Sequence, residues 1–163
     1  VSNVDIIKDL ENATLVVTSV FPASPERVWK LWADPRQLER WWGPDPYPAT
    51  VVDHDLQPGG HVSYYMTGPE GDQHKGYWRV TEVEPPRHLA FEDGFADDSG
   101  DPNDDLPVSR AVVTIEAVDD ATTRMTIRSV YDTSAELETV LAMGMEQGIR
   151  AAVEQIFGLL AED

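Results

Sequence analysis

The chain predicts an α+β fold: a curved antiparallel sheet of about seven strands, two short helices after the first strand, and a long C-terminal helix. Three observations carry this expectation. Short β-branched and apolar runs alternate with Gly, Pro and Asp turns across residues 50–131, the pattern of strands joined in antiparallel order. The stretch FPASPERVWKLWADPRQLERWWGP, residues 21–44, contains two cap-plus-proline helix starts in succession and four of the five tryptophans. Residues 134–160 repeat their apolar positions at about 100° per residue, the period of an amphipathic helix.

The elements follow in order. Residues 1–12 are polar and mixed and read as a flexible lead-in, leaving 13–163 as a single domain. Ala13–Phe21 is a strand stopped by Pro22. Ser24 before Pro25 and Asp34 before Pro35 each place an N-cap ahead of a proline that has no donor to lose, so one helix runs to about Trp32 and another to about Trp41. Gly43-Pro44 ends the second, and Pro46 and Pro48 keep the next residues extended. Thr50–Leu56, His61–Thr67, His74–Glu84, His88–Asp93, Ser109–Val118 and Thr122–Tyr131 are strands. They are separated by Gln57-Pro58-Gly59-Gly60, Gly68–Asp72, Pro85-Pro86, a long acidic loop and Asp119-Asp120-Ala121. Ser134 is the expected cap of the last helix, with Leu137, Leu141, Met145, Gly148, Ala152, Ile156 and Leu159 on its apolar stripe.

Composition bounds the function. The 163 residues suffice for one core, with 41% hydrophobic and 26% charged side chains. Thirty acidic residues against twelve basic ones set a net charge of −18, which repels phosphate backbones and anionic membranes. Neither a nucleic acid nor a membrane is therefore expected as a partner. With no cysteine, disulfides and thiolate chemistry are excluded. No apolar run reaches the roughly 18 residues of a membrane span, and no secretory leader is recognised, so a cytoplasmic location is expected.

Catalytic patterns are scarce. His54, His61, His74 and His88 fall on separate strands without metal-ligand spacing, so neither metal nor cofactor is expected. The loop Phe95–Pro107 has five aspartates but not the frame of a calcium loop; it reads as solvated, with a lid over a cavity mouth as the alternative. Two features ask for a reason. Gly144 and Gly148 lie within the last helical pattern, where each glycine costs about 1 kcal/mol relative to alanine. They allow either close packing on the sheet or room for a ligand. Gln155 falls among apolar neighbours and needs a partner: a ligand, a buried water or a sheet carbonyl.

The chain resembles the helix-grip proteins of the SRPBCC (START-like, birch pollen allergen-like) superfamily, and within it the branch named after the activator of heat shock protein 90 ATPase. The match rests on Val20–Pro25 ahead of Val28-Trp29, Trp32–Pro35 leading to Trp41–Pro44, and Asp55–Gly60. It continues through Gly68–Gly71, Val83–Arg87 and Met143–Gly148. Ser19 and Gln57 stand where the family often carries arginine. The resemblance implies a cavity between the C-terminal helix and the concave face of the sheet. With that cavity, the aromatic density and the two helix glycines lead to the expectation of a non-enzymatic binding protein for a small apolar or amphipathic molecule. Strand alternation suggests Tyr64, Met66, Trp78, Phe91 and Met125 for the sheet wall. Trp32, Trp41 and Trp42 are candidates at one end, with Gly144, Gly148 and Gln155 on the helix side. Core packing is the plain alternative for each. A cyclase/aromatase-like or hydrolase-like enzyme would instead need a converging polar pair in the same cavity. A co-chaperone-like interaction module would need an exposed docking patch, and that reading is carried by the family name alone. A homodimer stays open as a further option.

Overall fold

The structure, a computed structural model of the chain, describes residues 3–163. Eight strands form one open antiparallel sheet in the order β1-β2-β8-β7-β6-β5-β4-β3. They are β1 (Val4–Asp9), β2 (Thr14–Phe21), β3 (Ala49–His54), β4 (His61–Thr67), β5 (Gln73–Glu84), β6 (His88–Phe95), β7 (Ser109–Ala117) and β8 (Thr123–Val130). The helices are α1 (Pro25–Ala33), α2 (Pro35–Trp41), α3 (Ser134–Ala142) and α4 (Met145–Leu160). The fold is the expected helix-grip type, with one strand more than the sequence suggested.

That strand is β1, where a flexible lead-in was expected. Residues 4–9 pair along their whole length with β2, from Val4 opposite Ser19 to Asp9 opposite Thr14. The polar composition concealed it because an edge strand buries little of itself. Val4 is fully covered, but Ile7 and Lys8 remain exposed. Arg150 of α4 donates to the Val4 carbonyl at 2.6 Å, fastening the edge from the helix side. Val1 and Ser2 lie outside the described residues.

Both proline-led helix starts form as their sequences dictate. Ser24 accepts from the Arg27 amide and Asp34 from the Arg36 amide, each satisfying a donor the first turn would leave open. The long C-terminal helix differs from expectation in two ways. Its cap is Thr133, whose hydroxyl accepts from the Glu136 amide at 3.1 Å. It is also broken in two at Met143-Gly144, where Gly144 takes a φ of 90°. The apolar period runs through the break, so periodicity alone reads one helix where there are two.

The core lies between the concave sheet face and the helices. Trp32, Trp41, Trp78, Phe21 and Phe91 are among its largest fully buried side chains. From α4, Ala152, Val153, Ile156 and Leu159 press onto it. At the chain's end, Asp163 pairs with Arg27 and Glu162 with Arg40, tying the C-terminus to α1 and α2. No helix among the described residues is long and apolar enough to cross a membrane.

Candidate ligand cavity

A cavity of about 260 Å³ lies between α4 and the β4–β6 end of the sheet. The break between α3 and α4 borders it. Gly144 and Gly148 border the space, and a methyl group built on Gly144 would meet nothing within 4 Å. On Gly148 the nearest atom would be Pro44 Cγ, 3.9 Å away. Of the two reasons considered for these glycines, close backbone packing is overturned: both face open space.

The sheet supplies the floor. Inward alternation brings Tyr64 and Met66 from β4 and Asp93 and Phe95 from β6 to the cavity, and Ser109 from β7. Tyr131 enters just beyond β8, and Met145, Ile149 and Ala152 descend from α4. The exposed Met143 and Pro44 stand at the rim, as does Pro107 at the end of the acidic loop. Within that loop the Asp97 carboxylate accepts from the Ser99 and Asp101 amides. No group of His, Asp and Glu among the described residues is arranged to hold a metal.

The predicted aromatic wall divides into core and cavity. Trp32 is fully buried and central, with Trp41, Trp42 and Trp78 at ring distances of 4.8, 5.9 and 5.7 Å. Its indole N–H points at Met125 Sδ, 3.4 Å away, and that of Trp41 donates to the Leu31 carbonyl. Trp78 stacks on Phe91 at 4.1 Å. Trp32, Trp41, Trp78, Phe91 and Met125 therefore do not reach the cavity, because each is consumed by aromatic or thioether packing within the core. Trp42, Tyr64, Met66, Gly144 and Gly148 do line it. Trp42 joins the two regions, with Trp78 at 5.0 Å on one side and Tyr64 at 6.0 Å on the other.

Gln155 has a different task from the one expected. Its amide donates to the Trp41 and Gly43 carbonyls at 3.1 and 3.0 Å, and its oxygen accepts from the Asp45 amide at 3.0 Å. All its polar capacity toward that side serves to clamp the turn after α2, whose Pro44 forms the cavity rim. The four histidines also stay apart. His54 bonds the Trp32 carbonyl, His61 stacks on Tyr77, and His74 and His88 pair with Asp72 and Glu82.

Three polar residues in the cavity escaped the sequence reading: Asp93, Ser109 and Tyr131. The signal was present. Leu89 and Phe91 are buried on the inner face of β6, and the same period of two carries that face to Asp93. Cross-strand pairing sets Asp93 between Trp78 and Ser109. Its side chain is enclosed by protein yet keeps part of its surface open to the cavity, and burial raises its pKa to about 7. The same burial, and then the Asp93 charge, pushes the phenols of Tyr64 and Tyr131 well above the ordinary tyrosine range. Both stay protonated at any physiological pH, so they serve as hydrogen-bonding groups and not as bases. The buried indole N–H groups of Trp42 and Trp78 lie toward the Tyr64 hydroxyl without reaching hydrogen-bond geometry.

Residues 22–161 match the family model of the Activator of Hsp90 ATPase homolog 1-like proteins. The chain belongs to this family. Through it the chain falls in the SRPBCC superfamily. Protein Ms6760 from Mycobacterium smegmatis is 49% identical, with 96% of each chain covered and a TM-score of 0.88. A protein from Arthrobacter aurescens is 45% identical over 99% of this chain and 94% of that one, with a TM-score of 0.94. The AHSA1 protein SPO3351 from Silicibacter pomeroyi, at 24% identity, 91% and 98% coverage and a TM-score of 0.73, shares the fold. No functionally curated protein matches the sequence.

Proposed function

We propose that this AHSA1-family domain binds a small apolar or amphipathic molecule between α4 and the sheet. The observation that carries the reading is an apolar-walled cavity, bordered by Gly144 at a helix break and Gly148 within α4, with a few polar groups converging on its floor. That combination is the usual character of a small-molecule site. At about 260 Å³ the space lies near the low end of the roughly 300–1,000 Å³ typical of such sites, which favours a compact molecule over a long lipid.

Gly148→Leu tests it. The added side chain projects into empty space, so the variant is expected to stay folded and to fill the cavity. Amide NMR of the wild-type domain with a panel of compact aromatic compounds is expected to shift resonances around Gly94, Phe95 and Gly144. In the leucine variant the binding is expected to weaken at least about tenfold, in line with the cost of overfilling a packed site. Equal binding by the variant, or shifts clustered elsewhere, would sink the reading.

An enzymatic reading has one observation in its favour. A carboxyl group with a pKa of about 7 inside an apolar cavity is suited to general acid–base work near neutral pH. It requires a product distinct from the ligand added, and Asp93→Asn should then abolish turnover while leaving binding of a neutral ligand in place.

A further inference from the structure

We infer that the cavity selects cationic amphiphiles: compact molecules with an aromatic or aliphatic body and one protonated amine, the amine seated against Asp93. This rests on the ligand-binding reading above and adds to it the charge of the ligand.

The argument starts from what Asp93 lacks. No arginine, lysine or histidine lines the cavity, and no hydrogen bond or ion pair to the Asp93 carboxyl is formed among the described residues. Charged groups taken out of water are normally paired. Several other acids of this protein, though less enclosed, do have a basic partner. Glu146 holds Lys8, Glu162 holds Arg40, and Asp132 holds Arg110. Asp93, by contrast, combines enclosure with an open face toward the cavity and no partner among the described residues.

The walls complete the site. Trp42, Tyr64 and Tyr131 surround the floor with aromatic surface, whose ring faces attract an ammonium group. Their phenols cannot compete as anions, since burial keeps both protonated. The titratable groups facing Asp93 are thus Tyr64 from β4 and Tyr131 after β8, with Glu136 of α3 acting on Tyr131 from behind. None carries positive charge, and α3 and α4 contribute only apolar or small residues. One positive feature stands at the rim, the N-terminus of α4, and Glu146 in its first turn offsets it. At longer range the net charge of −18 draws cations toward any opening.

A neutral carbonyl ligand is the chemical rival, because a protonated Asp93 can donate to it. The two differ in sign with pH. An amine needs the carboxylate, so its affinity rises with pH through 7 and falls about tenfold per pH unit below. A carbonyl needs the acid, so its affinity falls as pH rises.

Three naphthalene probes separate the outcomes: naphthylmethylamine, the neutral naphthylmethanol of similar size, and naphthaldehyde. Each is titrated calorimetrically into the intact domain at pH 5.5, 7 and 8.5. The amine is expected to bind at least about tenfold tighter than the alcohol at pH 8.5, with proton release at pH 6–7 visible as a dependence on buffer ionisation heat. Asp93→Asn is expected to abolish that preference. If the alcohol or aldehyde binds as tightly as the amine at pH 8.5, or if Asp93→Asn leaves the amine's advantage intact, the charge selectivity is wrong and the cavity reading stands. If none of the three binds, the binding reading itself fails, and this inference with it.

Discussion

Asp93 is the residue at which stability and function meet. Its pKa rises from an ordinary carboxylate value to about 7 because the folded chain surrounds it with apolar and aromatic groups. Below about pH 4 the carboxyl is protonated in both folded and unfolded chains and contributes nothing to the pH dependence. Between about pH 4 and 7 the unfolded chain gives up the proton while the folded chain holds it, so folding stability falls as pH rises through this window. Above pH 7 the loss is complete. Thermal melts of wild type and Asp93→Asn across pH 4–8 check this. The asparagine variant is expected to lack the decline attributable to Asp93 and to melt higher than wild type at pH 8. An unchanged pH profile in the variant would mean that Asp93 is not desolvated as described. Tyr64 illustrates how such a floor is assembled. Its ring lies over Gly76 on the neighbouring strand, where a methyl group would come within 2.4 Å of its hydroxyl. The glycine is there to accept the ring, and the ring covers the gap it leaves.

At the scale of elements, the decisive feature is the interruption between α3 and α4. A continuous helix would carry its side chains across the space that the break leaves empty. Gly144, at a φ of 90°, is the residue that turns the chain. Any L side chain there is strained, by about 1–2 kcal/mol for alanine. Gly148 is in the body of α4, where alanine meets only an ordinary contact with Pro44. The two glycines are therefore expected to respond in opposite directions to the same change. Gly144→Ala should destabilise by about 1–2 kcal/mol, while Gly148→Ala should stabilise by up to about 1 kcal/mol. Urea denaturation of both variants measures this directly. A stabilising Gly144→Ala would show that the helices can run on as one, and the cavity would then lose its structural cause. Gln155 supports the opposite wall, holding the turn after α2 by three hydrogen bonds so that Pro44 keeps its place at the rim.

For the molecule as a whole, charge and packing act at different ranges. A net charge of −18 on 163 residues opposes compaction, and the favourable ion pairs are mostly exposed, such as Arg87–Glu84 and Arg110–Asp132. Exposed pairs contribute about 0–1 kcal/mol each, so screening them costs little compared with relieving the general repulsion. Raising sodium chloride from 0.05 M to 0.5 M, across the range where the Debye length falls below about 10 Å, should therefore raise the melting temperature by a few degrees. A fall in melting temperature would mean that specific ion pairs outweigh the net repulsion. The fold itself was legible at this scale. Proline-led caps, Gly- and Asp-rich turns and two apolar periods are local signals, and each acts within a few residues of where it is written. They determined α1, α2, seven strands and the amphipathic C-terminal segment. Two elements were hidden for physical reasons. β1 is held by its partner strand and Arg150, not by its own pattern, and the α3–α4 break interrupts the backbone without interrupting the apolar stripe. The site was legible only in part. Of the residues expected at a ligand site, Trp42, Tyr64, Met66, Gly144 and Gly148 border the candidate cavity, whereas Trp32, Trp41, Trp78, Phe91 and Met125 lie in the core and Gln155 clamps the turn after α2. Alternation says which face a residue takes, and it even pointed to Asp93. It cannot say whether that face meets another side chain or a space. The sequence by itself determined which residues face inward. Only the tertiary structure decided which of them remain uncovered, because a cavity depends on how distant elements fail to fill the volume between them.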